Sequence, residues 1–385
     1  MTKSRMEMVQ SPLIPVIGEL IRQNPGTISL GQGVVAYPPP ESAIASITKF
    51  LSQPENHKYQ SVIGIPDLIS AITTKLIAEN QIEINEKNSI VVTAGSNMAF
   101  LNAVLAITNA GDEIILNTPY YFNHEMAITM ANCRPVLVAT DENYQLQIDA
   151  IAAAITPRTK AVVTISPNNP TGAVYPPEDL GAVNKLCRDR GIYHICDETY
   201  EYFTYNGSKH ISSASFPNSV EHTIYLFSLS KAYGFASWRI GYMVIPQHLL
   251  MPIKKVQDTN LICPPVISQY AALGALQAGY NYCQQHVREI AKVRAIVLEK
   301  LNSIADICQL ATADGAFYFF LKINTQKNDL ELVKQLIKKY QVAVIPGSTF
   351  GISDGCYLRV AYGALQLETA TTGISRLTTG LRQIV

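Results

Sequence analysis

The chain has 385 residues, which suggests two to three units of about 150 residues, or one large domain with a smaller companion. Hydrophobic residues make up 48% and charged residues 16%, enough to bury a large core. Lys+Arg and Asp+Glu are both 30, and a net charge of zero argues against nucleic acid or an anionic membrane as a partner held by bulk electrostatics.

The first 45 residues contain Gly31-Gln32-Gly33 and Pro38-Pro39-Pro40 and read as an irregular arm. No apolar stretch backs the first residues, so no secretory leader is expected. From about residue 89 to 245, short β-branched runs alternate with segments of helical spacing. The runs are Ile90–Thr93, Glu113–Leu116, Pro135–Val138, Ala161–Ile165, Ile192–Cys196, Thr223–Phe227 and Gly241–Ile245. Near-continuous apolar strands between helices predict an α/β fold with a mostly parallel seven-stranded sheet buried on both faces. After about residue 280 the pattern changes. A helix over Arg288–Ile304, strands at Phe317–Ile323 and Val342–Ile345, and a closing helix after Leu365 predict a smaller α+β domain. The expected division is a large domain over 46–280 and a small one over 1–45 with 281–385. The seven cysteines show neither a CxxC pair nor a disulfide array, and no apolar run is long enough to span a bilayer. Reduced thiols in a soluble cytoplasmic protein are expected.

In such sheets ligands gather at the carboxyl ends of strands, and every polar motif of this region is expected at such an end. Thr93-Ala94-Gly95-Ser96-Asn97 joins the first strand to a helix, where free N–H groups favour a phosphate; the plainer reading is a βα turn capped by Ser96. Tyr121, after the second strand, offers an aromatic face for a flat heterocycle or for the core. Ser166 to Gly172 demands a specific loop, either a decorated turn or one whose asparagine donates to a phenolate oxygen. Asp197 closes an apolar strand and needs a partner, such as a salt bridge, a helix N-terminus or a pyridinium N–H. Lys231, in Ser228-Leu229-Ser230-Lys231, follows a buried strand. Poor solvation there lowers its pKa and frees the amine to attack an aldehyde, while the hydroxyls and Arg239 suit a phosphate. An aldehyde that carries a phosphate is pyridoxal phosphate (PLP).

These motifs resemble the class I/II aminotransferases of PLP fold type I over nearly the whole chain. The Asn-Pro-x-Gly loop is Asn169–Gly172, Asp-x-x-Tyr is Asp197 and Tyr200, Ser-x-Ser-Lys is Ser228–Lys231, and Trp-Arg-x-Gly is Trp238–Gly241. The resemblance implies that Lys231 bonds the cofactor and then carries the proton between Cα and C4′. It implies that Asp197 pairs with the pyridine nitrogen, that Asn169 and Tyr200 hold the phenolate oxygen, and that Tyr121 stacks on the ring. Ser96, Asn97, Ser228 and Arg239 would bind the phosphate, joined by Tyr59 from the partner of a homodimer with shared active sites. Arg359 would clamp the substrate carboxylate with help from the Gly33 backbone. No metal is implied.

The family's arm usually carries an acidic residue and Phe after Gly33, where this chain has Val34-Val35-Ala36-Tyr37. Some dicarboxylate-specific members place a second arginine near the stretch aligned with Asn260–Pro265, which is uncharged here and disfavours aspartate as donor. The wording is closest to aromatic and methionine aminotransferases. The expected activity is amino transfer from an aromatic or large apolar L-amino acid to a 2-oxo acid. The alternatives are a C–S lyase on the same site, an aspartate-type transaminase, or a regulator that has lost catalysis. A Rossmann dinucleotide enzyme is disfavoured by the missing GxGxxG.

Overall fold

Strands with no polar side to turn to water need cover on both faces, and the seven apolar runs do assemble into one sheet with a core on each side. In the computed structural model, which describes residues 4–385, the strands in chain order are β1 (Ile28–Ser29), β2 (Asn88–Thr93), β3 (Glu113–Thr118), β4 (Arg134–Ala139), β5 (Thr159–Ile165), β6 (Tyr193–Asp197), β7 (Thr223–Ser228) and β8 (Gly241–Pro246), followed by β9 (Cys308–Leu310), β10 (Tyr318–Ile323), β11 (Val342–Ala343), β12 (Ile345–Pro346) and β13 (Cys356–Ala361). Met1–Lys3, where the expected arm begins, lie outside the described residues. The large sheet has the order β2-β8-β7-β6-β5-β3-β4. Its pairs are parallel except where β8 meets β2 and β7.

Alternation along each strand divides the side chains between two cores. Ile90, Val92, Tyr225, Phe227, Tyr242 and Val244 enter one core, together with the long helix Val266–Asn302. Val91, Ile224, Leu226, Met243 and Ile245 enter the other, against Phe100, Ala103 and Val104 of the helix Ser96–Ile107. The first core continues into a four-stranded antiparallel sheet, ordered β12-β13-β10-β9. The long helix serves both sheets and is interrupted at Gly279, whose φ is 64°. All seven cysteines are free and buried, and no helix among the described residues is long and apolar enough to cross a membrane.

The structure corrects three sequence expectations. The arm is not irregular throughout, because it contains helices at Leu13–Gln23 and Glu41–Leu51 and the short strand β1. Pro12 and Pro40 stand at their N-caps, and Pro15 falls in a first turn whose N–H groups have no helical acceptor to lose. The helix expected over Arg288–Ile304 begins earlier, just after the Gly279 kink, and ends at Asn302. The run Val342–Ile345 is two strands with different partners: β11 pairs with β1 and β12 with β13.

His194, fully buried on β6, links layers of the large sheet. Asn184 Nδ2 lies 3.1 Å from its Nδ1, and its Nε2 lies 2.9 Å from Thr164 Oγ1. Because the amide of Asn184 donates, Nδ1 accepts and the ring proton sits on Nε2. Burial, aided by neighbouring His222, pushes the imidazole pKa down to about 3. Between that value and about 6.5 the unfolded chain binds the extra proton, so stability falls as pH drops through this window. In urea melts from pH 7 to pH 5, wild type should therefore lose midpoint faster than His194→Met. Parallel slopes would refute the assignment.

Candidate active site

β2, β3, β5, β6 and β7 all run the same way, so their carboxyl ends share one edge of the sheet. Arg239 is the exception to the expected rule. It reaches this edge just before the start of β8, which runs the other way. A cavity of about 600 Å³ opens along the edge, and all the predicted site residues except Tyr59 line it. Tyr59 is 77% exposed and lies elsewhere on the surface. The stretch Asn260–Pro265 does not line the cavity either.

One end of the cavity is a nest of donors. The cap of the Ser96–Ile107 helix is Gly95 rather than Ser96, with φ 82°. A Cβ there would lie 2.5 Å from an Arg239 guanidinium nitrogen, so glycine both permits the turn and makes room for the cation. Ser96 and Asn97 therefore present first-turn N–H groups with no helical acceptor. Thr199 Oγ1 donates to Ser96 Oγ at 3.2 Å, and Arg239 Nη1 donates to Ser230 Oγ at 3.3 Å and to the Ala236 carbonyl at 2.8 Å. Ser228 caps the short helix that carries Lys231 by accepting from Ser230 N at 3.1 Å.

In the middle of the cavity, Asp197 is buried at the end of β6 and accepts from Thr199 N at 3.0 Å. His124 Nε2 lies 3.3 Å from its Oδ2, and the His124 ring is stacked on Phe100 at 3.9 Å. Tyr121 donates to Asn97 Oδ1 at 3.3 Å and accepts from Asn123 Nδ2 at 2.8 Å. At the other end, Arg359 of β13 is buried, donating to Asn169 Oδ1 and to the Gly31 carbonyl, each at 2.8 Å. The backbone partner of the arginine is thus Gly31. The Gly33 carbonyl accepts instead from Lys231 Nζ. Asn169 Nδ2 donates to Tyr200 Oη at 3.4 Å, and Tyr200 Oη lies 2.7 Å from Tyr318 Oη. The asparagine loop is fixed by Gly172, with φ 75°, where a Cβ would lie 2.7 Å from the Tyr318 carbonyl oxygen.

Three cations, Lys231, Arg239 and Arg359, face this cavity with Asp197 as the carboxylate among its lining residues. Such a surplus suits a ligand with anionic groups at both ends. The donor nest fits the PLP phosphate, Asp197 fits a pyridinium, and Arg359 keeps a buried Nε with no hydrogen-bond partner, as a carboxylate clamp awaiting its ligand would. The residues present therefore fit PLP together with an amino acid. Sequence reasoning assigned no role to Tyr318, His124 or Thr199. Tyr318 and His124 lie on other elements than the motifs they support, and only the fold brings them in.

Burial lowers the Lys231 pKa to about 8, with Arg239 and Arg359 adding to the fall and Asp197 opposing it. At pH 7 about one-tenth of such amines are neutral, against about one in three thousand at a pKa of 10.5. The rate at which cofactor-free protein takes up PLP should rise with pH and level off above about 8. Stopped-flow absorbance would measure this, and a rise that continues to pH 10 would contradict the lowered pKa.

The family description "Aminotransferase class I and II" matches residues 25–377. An aromatic aminotransferase of Arabidopsis thaliana is 33% identical over 383 residues, covering 97% of this chain and 94% of that relative. A probable aspartate/prephenate aminotransferase of Aquifex aeolicus is also 33% identical, covering 95% and 94%. Among solved structures, the aromatic aminotransferase of Pyrococcus horikoshii superposes with a TM-score of 0.88 at 30% identity, covering 95% of this chain and 99% of that one. A double mutant of Thermus thermophilus aspartate aminotransferase gives 0.89 at 29% identity, covering 99% and 100%. These relatives support amino transfer over C–S elimination. The chain belongs to the class I and II aminotransferases, and it is a PLP-dependent enzyme of the transaminase type.

Proposed function

We propose that the amino donor is an L-amino acid with an aromatic or other large apolar side chain, and that a 2-oxo acid takes the amino group in a ping-pong cycle. The observation that carries this reading is the apolar part of the cavity lining. The Leu13–Gln23 helix lines the cavity with Ile14, Ile17, Gly18 and Ile21, and Phe122 and Ile345 also line it. Burying a phenyl ring there is worth about 2 kcal/mol or more, whereas a second carboxylate would lose its water without gaining a cation.

The roles follow from chemistry and placement. Bound PLP supplies the electron sink for the pair left at Cα. Lys231, as the neutral amine, would take the proton from Cα and deliver it to C4′. Asp197 would accept the pyridine N–H and keep that nitrogen protonated; the Thr199 N–H holds the carboxylate, and His124 Nε2 lies 3.3 Å from its other oxygen. Asn169 and Tyr200 donate to the phenolate oxygen, and Tyr121 covers the ring. Ser96, Asn97, Ser228 and Arg239 hold the phosphate. Arg359 would fix the substrate carboxylate and so orient the bonds at Cα.

We further propose a cytoplasmic homodimer, in which the exposed Tyr59 reaches the phosphate bound by the other copy. The free, buried thiols agree with a reducing compartment. The proposed division, 46–280 against 1–45 with 281–385, puts the boundary at the Gly279 kink.

Single-turnover absorbance of the PLP-loaded enzyme with a panel of donors tests the side-chain preference. Phenylalanine or tyrosine should react with a kcat/KM about thirtyfold above alanine, and Lys231→Ala should abolish the exchange. Aspartate reacting faster than either aromatic donor would sink the reading. Gly18 sharpens the test, because a Cβ there meets only the tip of Arg22, at 3.9 Å. Gly18→Leu removes a glycine from a helix interior, which costs no stability, yet fills the apolar lobe. It should cut the aromatic kcat/KM about tenfold or more while leaving alanine within about threefold.

Subunit mixing tests the dimer. Tyr59→Phe should weaken PLP binding. Hybrids of that variant with Lys231→Ala should recover activity at limiting PLP, because one of their two sites would be intact. Failure to recover would remove Tyr59 from the partner's site.

A further inference from the structure

Tyr318 opens β10 of the small sheet, and its side chain lines the active-site cavity. Both Tyr318 and Tyr200 are buried, and their hydroxyl oxygens are 2.7 Å apart. Burial raises the pKa of both phenols, that of Tyr318 to about 12 and that of Tyr200 well above its ordinary value. Each therefore keeps one proton at neutral pH and has to place it.

The two protons have two arrangements. If Tyr200 donates to Tyr318, the Tyr318 proton must find another acceptor. Its oxygen lies against the Cα of Gly33, where a Cβ would come within 2.6 Å of it, and Tyr200 is the hydrogen-bond partner the structure gives it. If Tyr318 donates to Tyr200, Tyr200 accepts from Tyr318 and from Asn169 Nδ2, at 3.4 Å, and its own proton is free for the cavity. The guanidinium of Arg359 lies 4.5 Å from the centre of the Tyr318 ring. A cation over a phenol ring draws electron density from it and makes the hydroxyl a better donor.

We propose that Tyr318 is a positioning residue that donates to Tyr200 and thereby commits the Tyr200 proton to the phenolate oxygen of the cofactor. This rests on the reading of Tyr200 as the group that faces that oxygen. A donor that is itself hydrogen-bonded is polarised and donates more strongly. Tyr318 thus helps hold the phenolate form and lowers the proton affinity of the lysine-linked cofactor. Neither residue changes its own protonation.

The test is the pH midpoint of the bound cofactor's visible absorbance, read without substrate. Tyr318→Phe should raise that midpoint by about half a pH unit, about threefold in proton affinity. In a Tyr200→Phe background the same change should move it by less than about 0.1 unit, because Tyr318 acts through Tyr200. A fluorinated tyrosine at 318, a stronger donor of the same shape, should lower the midpoint; it also serves if the phenylalanine variant does not fold. An unmoved midpoint in Tyr318→Phe overturns the role of Tyr318 alone. So does an equal shift in both backgrounds, or a fluorotyrosine shift of the wrong sign. A wild-type protein that takes up no PLP and shows no titrating band overturns the site reading, and this role with it.

Discussion

The fold hangs on one constraint. The central strands are buried on both faces, so a polar side chain within them persists only where it finds a partner, as His194 and Thr164 do. Ile114 to Leu116, Ala161 to Val163 and Ile224 to Phe227 are almost wholly inaccessible. The strands β3, β6 and β7 end at Thr118, Asp197 and Ser228, all on one edge. Chemistry collects there because it is excluded elsewhere. The antiparallel β8 adds Arg239 to the same edge, which a wholly parallel sheet would have sent to the far side.

At that edge the protein assembles more positive charge than it neutralises. Lys231 sits near two guanidiniums and one carboxylate, and its amine is held partly neutral by burial and by the guanidiniums, against the pull of Asp197. This excess is a pre-organised field for ligands with anionic groups at both ends. The cost of holding it falls on the neighbours that separate the cations: Asn169 on Arg359, Ser230 and the Ala236 carbonyl on Arg239, and the Gly33 carbonyl on Lys231. The arm helix adds uncharged residues, Ile14, Ile17, Gly18 and Ile21, to the lining of the same cavity.

Much of this was legible in the chain, because the strands announce themselves by composition and the polar residues by standing at strand ends. Lys231, Asp197 and the Asn169 loop each carry a local sequence signal. The arm helix Leu13–Gln23 was missed because the Gly31–Gly33 and Pro38–Pro40 motifs made all the first 45 residues read as irregular, although they lie outside that helix. Tyr318 was invisible for a different reason. It lies in an apolar run, Phe317–Leu321, where an aromatic is expected as core. Only the meeting of the two sheets turns its hydroxyl into part of the site. His124 likewise looks like any polar residue on a helix until Asp197 is placed beneath it.

The contacts of Arg359 bear on how the enzyme comes into being. Its guanidinium joins Asn169, 190 residues earlier, and Gly31, 328 residues earlier. During synthesis the strands of the large sheet, complete by Pro246, and the helix Val266–Asn302 that covers one face both precede Arg359, and folding proceeds from the N-terminal side as units become available. The carboxylate clamp waits for Arg359 itself. A nascent chain is therefore able to gather the residues around Lys231 long before it can hold an amino acid over them, and amino-group chemistry is withheld until translation is all but finished.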